Sequence, residues 1–172
     1  MAHELYTRTN QKLYFAGLAL DAWRQAEEGR AMNAQALVQA EREATLFHLY
    51  GGLLGLCHEI TGYYRLAEIN VPRVELLLTK AVLDTAPSPE LAELVELAQQ
   101  SETWLAQLLA AYAALFQPPQ APKKAKVDPT LSLIESLSLD EDEPPLARLQ
   151  LEDWRQQLKV LALRFRESLS EC

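Results

Sequence analysis

Seven apolar residues, Ala147, Leu151, Trp154, Leu158, Leu161, Phe165 and Leu169, recur at steps of three and four, the spacing that gathers side chains into one stripe of an α-helix. An exposed stripe of that size would drive association, so the segment is expected to return against other helices of its own chain. The same period runs through four earlier stretches. Leu5, Leu13, Ala16, Leu20 and Trp23 mark a first helix from Leu5 to Ala26, closed by Gly29. Asn33 is the expected N-cap of a second helix, which carries Leu37, Ala40, Ala44 and the apolar run 46–64 and ends near Ala67. Asn70 and Pro72 mark a turn before a short third helix near Val74 to Asp84. Ser88 followed by Pro89 opens a fourth, whose stripe of Leu91, Leu94, Ala98, Ser101, Leu105 and Leu108 continues to Tyr112 and Leu115, with Ala98 and Ser101 small enough to allow close approach midway.

This pattern predicts an all-α fold: a single domain over 1–172, built as an antiparallel bundle of four longer helices plus one short helix. Only 6 glycines in 172 residues fit that class, since glycine is a poor helix former. Trp23, Leu53, Leu94, Leu108, Trp154 and Leu161 are the expected core.

Between Gln117 and Pro145 the composition changes. This stretch holds six of the nine prolines, three lysines (Lys123, Lys124, Lys126) and six acidic residues, and so carries a net charge of -3. It reads as a Pro-rich acidic linker over 117–145, with the returning C-terminal helix at 146–172. Inside it Leu131, Leu133, Ile134, Leu137 and Leu139 are too apolar for an inert spacer. The alternation of Leu and Ser leaves helix and strand open, and a segment this short must dock to be ordered. Tethering favours its own bundle as the place. The alternative is presentation to a partner, with Asp140 to Glu143 steering the encounter and Leu133, Ile134 and Leu137 as binding residues.

Charge narrows the function classes. Sixteen basic against 24 acidic residues give a net charge of -8, and because phosphate neutralisation dominates nucleic-acid affinity, that partner is disfavoured. The two cysteines, Cys57 and Cys172, form no disulfide framework, which points to a reducing, cytoplasmic setting. The N-terminus has no stretch of secretory character, and the most apolar windows fall short of the roughly 20 residues a bilayer needs, so no membrane passage is expected.

The second helix carries the residues with chemistry. Leu46, Leu49, Leu53, Leu56, Ile60 and Tyr64 occupy one face, and Ala44, His48, Gly51, Gly55, His58, Glu59 and Gly62 the other. Glycines inside a helix cost about 1 kcal/mol each against alanine, so something must compensate. One explanation is close approach by another helix or by a second copy, giving a homodimer through Gly51, Gly55 and Gly62. The other is a groove where a ligand meets His48, His58 and Glu59. A metal is not expected: His48 and His58 are ten residues apart, about 15 Å along a straight helix, and His58 and Glu59 diverge. Cys57 falls on the apolar face and reads as an inert thiol. No phosphate loop, nucleophile elbow or βαβ unit is present, so no cofactor is implied.

Arg42 and His48 form an Arg-x5-His spacing that resembles the signature of small helical HEPN-type ribonucleases and toxins. That resemblance implies Arg42 and His48 as catalytic residues acting on RNA phosphodiesters at a dimer interface. The blocks YTRTNQKLYFAGLAL (6–20) and REATLFHLYGGLLGLCHEITGYYRL (42–66) resemble an uncharacterised family of small all-helical bacterial proteins of unknown function, a resemblance that brings no activity, ligand or site. With no catalytic constellation in view, the sequence favours a non-enzymatic interaction or adaptor protein with a protein partner, and the HEPN-like ribonuclease is the alternative.

Overall fold

The computed structural model describes residues 2–67, 70–118 and 145–170. Among them are seven helices and no strand: α1 (Ala2–Glu28), α2 (Ala34–Tyr63), α3 (Val74–Leu77), α4 (Lys80–Thr85), α5 (Pro89–Gln99), α6 (Trp104–Ala114) and α7 (Arg148–Ser170).

The apolar stripes converge as the spacing requires. One continuous core takes Leu13, Ala16, Leu20 and Trp23 from α1, Leu46 through Ile60 from α2, Val74 and Leu77 from α3, Leu91 and Leu94 from α5, Leu105 and Leu108 from α6, and Leu151 through Phe165 from α7. All six expected core residues are buried. Each large side chain so removed from water contributes roughly 1.5–3 kcal/mol.

α1 and α2 pack as an antiparallel pair. Going up α1, Thr9 meets Gly55, Lys12 meets Gly51, Phe15 meets His48 and Trp23 meets Arg42. α7 runs antiparallel to α1: Arg148 pairs with Glu27, Arg155 donates to the Leu13 carbonyl, and Arg166 donates to Asn10. α2 packs against α1 on one side and against α6 and α7 on others. It is buried on several sides between Thr45 and Thr61, while most of its first two turns remain exposed.

Caps explain where the chain departs from its apolar period. The stripe expected to run unbroken from Ser88 to Leu115 is two helices, because Thr103 starts a new one: its hydroxyl accepts from Ala106 N at 3.2 Å and lies 2.9 Å from the Gln100 carbonyl oxygen. Ser101 is therefore an exposed turn residue, not a point of close helix approach. Thr79 divides the third helix likewise, accepting from Val82 N. Ser88 caps α5 as expected, accepting from Leu91 N at 3.0 Å with Pro89 in the first turn. Asn33 precedes α2 but makes no side-chain cap bond.

α2 ends at Tyr63, four residues short of the expected Ala67. Leu66 N donates to Thr61 O and Arg65 N to Gly62 O, with Arg65 left-handed at φ 55. These are the two bonds of a Schellman stop, at a position glycine usually holds.

Candidate functional site

Each side chain with chemistry on α2 can be followed to its partner. Glu59 is 4% exposed and faces Arg166 of α7, which donates to both carboxylate oxygens at 2.8 Å. The same guanidinium donates to Asn10 Oδ1 at 3.0 Å and lies over the Tyr6 ring. The hydrogen bonds to Glu59 raise the Arg166 pKa. A bidentate pair of this kind is strong in geometry, with the carboxylate buried and the guanidinium partly so.

His58, the next residue, turns elsewhere. Its Nε2 donates to the Val71 carbonyl at 2.7 Å, fixing the proton on that nitrogen and pinning the chain that leads into α3. His48 sits edge-on between Phe15 of α1 and its neighbour Phe47, at centroid distances of 5.4 and 5.3 Å. Its Nδ1 is buried with no hydrogen-bond partner. Burial and the nearby Lys12 lower its pKa, so the ring is held neutral. His48, His58 and Glu59 thus face three different neighbours and are not brought together.

Arg42 lies over the Trp23 ring and donates Nε–H to the Leu146 carbonyl at 3.1 Å, tying α2 to the entry of α7. It is six residues from His48, which places the two side chains about 120° apart around the helix. They engage different surroundings and share no cleft.

The glycines of α2 serve close packing within the chain. A Cβ at Gly55 would stand 2.6 Å from Thr9 Oγ1 and 3.2 Å from Thr9 Cα, and one at Gly51 would meet the Lys12 stem at 3.1 Å. α1 fills the face at these two positions, where a second copy of α2 or a ligand groove was the alternative. Gly62, beyond the closest approach, is half-buried. Cys57 is fully buried, and burial pushes its thiol up to about 12, which leaves no thiolate at neutral pH. Leu133, Ile134 and Leu137 lie outside the described residues, as does Cys172.

Two polar groupings were not legible beforehand. Glu90, buried at the start of α5, receives Ser168 of α7 at 2.6 Å and Tyr64, the residue that closes α2, at 2.9 Å, joining α5 and α7 to the end of α2. Burial pushes its pKa up, but these hydrogen bonds, Ser88 and its own N–H outweigh burial and leave it lowered. Lys12 is buried along its stem across Gly51, with its ammonium 4.7 Å over the Phe47 ring and its pKa lowered by burial and Arg8. Helix periodicity marks neither, since their partners are 78 residues away in one case and an aromatic face in the other.

Among the described residues, no cluster of three or more His, Cys, Asp or Glu is placed to hold a metal ion, and no helix is long and apolar enough to cross a membrane. No curated protein and no solved structure matches the chain. The two resembling blocks, at 6–20 and 42–66, are the halves of the α1–α2 pair that pack Thr9 on Gly55 and Phe15 on His48. A family match spans all of residues 1–172, and the chain belongs to the family described as "Family of unknown function (DUF6586)".

Proposed function

We propose that this chain is a non-enzymatic interaction or adaptor protein of the bacterial cytoplasm, a single antiparallel helical-bundle domain with the linker 117–145 before its last helix. The observation that carries the reading is the use made of its reactive side chains. Arg42, His58 and Glu59 each hold two parts of the chain together, and His48 is packed between two phenylalanines. The side chains left to solvent are of the opposite kind. Tyr14 and Leu18 of α1 and Leu37 and Phe47 of α2 are large, apolar and 40% or more exposed. Such residues supply the contact area of protein interfaces. A partner, a second copy included, would use that outer α1–α2 surface, because α1 already occupies Gly51 and Gly55.

The HEPN-like alternative requires Arg42 and His48 to act together, and nothing in their placement favours it. The test has two arms. Incubation of the protein with RNA is expected to give no cleavage above background, and His48→Ala to change nothing. Affinity capture with the full chain is expected to retain a protein partner that Phe47→Ser releases. Cleavage abolished by His48→Ala would overturn the reading.

A further inference from the structure

Lys12 is the most enclosed lysine of the described residues, 8% exposed where Lys80 and Lys159 lie in the open. Its stem crosses α2 at Gly51, where a Cβ would stand 3.1 Å from both Cδ and Cε. The rotamer freedom of a lysine side chain, about 2 kcal/mol, is thereby largely lost on folding, and the amine is held in one place.

The amine itself is not enclosed. Among the described residues, Trp23 Nε1 and His48 Nδ1 are the buried side-chain nitrogens without a hydrogen-bond partner. Lys12 Nζ has no hydrogen bond or ion pair either but does not share their burial, so its tip reaches solvent beside the half-exposed Phe47 ring. The charges that face it are of its own sign or absent. Arg8 stands one turn back on α1, and the neutral ring of His48 is the titratable group on α2. Arg8 donates to Gln11 Oε1 and, among the described residues, pairs with no carboxylate. Burial and Arg8 lower the Lys12 pKa, so more of its amine is in the neutral, nucleophilic form than at an open lysine.

We propose that Lys12 is an acylation site, where the pinned amine takes an acyl group from an acyl phosphate. The Nζ lone pair forms a bond to the carbonyl carbon, and the bond from that carbon to the phosphate oxygen breaks. Phosphate leaves with the electron pair, and one amine proton passes to water. Arg8, with no carboxylate of its own, offers a cation to the donor's phosphate. The product fits the site better than the ammonium does: it is uncharged, which burial and Arg8 both favour, and the stem keeps its packing on Gly51. Loss of the charge also removes from His48 the neighbour that opposes its protonation. This site goes beyond the adaptor reading and does not depend on it.

Labelling of the full chain with acetyl phosphate near neutral pH, followed lysine by lysine by mass spectrometry, tests it. Lys12 is expected to react about threefold or more faster than Lys80 or Lys159. In denaturing urea the three should react alike, because the fold supplies the difference. Arg8→Gln, at an exposed position, should slow acetylation of Lys12 by acetyl phosphate more than by an uncharged acetyl ester. Reaction at Lys12 no faster than at the two open lysines would overturn the proposal. So would an advantage that survives in urea, or an Arg8→Gln variant that treats the two reagents alike.

Discussion

Glu59 and His48 lie on the same side of α2, eleven residues and three turns apart, and their surroundings differ. At Glu59 a buried carboxylate meets a guanidinium on both oxygens, and that guanidinium is held in turn by Asn10 and Tyr6. At His48 the ring is enclosed by aromatic edges, one nitrogen has no partner, and the nearest charge, Lys12, is of the sign that disfavours its protonation. One helix face therefore holds a polar group that locks three helices and another that is retained only while neutral. The difference teaches that burial of a polar residue says little by itself about what it does; the partner decides.

The largest expected effect breaks the locked end. Glu59→Gln leaves Arg166 partly buried without its counter-charge, and removing one partner of such a pair costs roughly 3–5 kcal/mol. Urea denaturation should show the loss in the midpoint. Glu59→Leu with Arg166→Met removes both charges and should recover most of it. If the single substitution cost less than about 1 kcal/mol, the pair would be a surface contact in effect and the contrast with His48 would disappear.

Two glycines between these ends sharpen the comparison at smaller amplitude. An alanine at Gly55 meets the backbone Cα of Thr9 as well as its hydroxyl, neither of which moves cheaply, so overpacking should dominate and Gly55→Ala should destabilise by about 1–3 kcal/mol. At Gly51 the obstacle is the middle of the flexible Lys12 side chain. There the helix preference of alanine, about 1 kcal/mol, should prevail, and Gly51→Ala should be neutral or slightly stabilising. Thermal unfolding of the two variants side by side gives the signs. Equal signs would mean that α1 and α2 adjust their separation as rigid bodies, and that the close approach is not specific to Thr9.

How much of this was legible beforehand follows from range. The apolar period placed the helical stretches and most of their inward residues because it is a local property of the chain, although Leu37, Ser101 and Ala147 of the expected stripes are exposed. It could not place the breaks at Gln100–Thr103 and Leu78–Thr79, since the stripe continues through both and only a hydroxyl cap divides them. The end of α2 was missed for a related reason: Arg65 holds the left-handed position where glycine is the usual signal. The glycines of α2 announced close packing, yet nothing local named α1 as the neighbour. Glu59 was expected beside His48 and His58 because helical spacing groups them, whereas its true partner is 107 residues on. Side-chain chemistry at a distance is a product of the assembled fold, and a single sequence carries no signal for it. The apolar segment 131–139, recognised from composition alone, lies outside the described residues.

The smallest expected effect separates the two ends by pH. The folded state lowers the His48 pKa below its usual 6.5, so the unfolded chain takes up a proton that the folded chain resists. The stability this residue contributes is complete above pH 6.5 and declines as pH falls from there through the lowered value. Glu90 behaves in the same direction at a lower range: its depressed carboxyl contributes fully above its usual 4.5 and loses that contribution as pH falls through the folded value. Wild type should therefore lose stability in two stages on acidification. His48→Leu, which fills the space between Phe15 and Phe47 without a titrating group, should flatten the upper stage and leave the lower one intact. Denaturant midpoints measured from pH 7.5 to about 3 on both proteins decide it. Parallel curves through pH 6.5 would mean that the protonated ring is accommodated in the fold, and that His48 is not the unreciprocated group that sets it apart from Glu59.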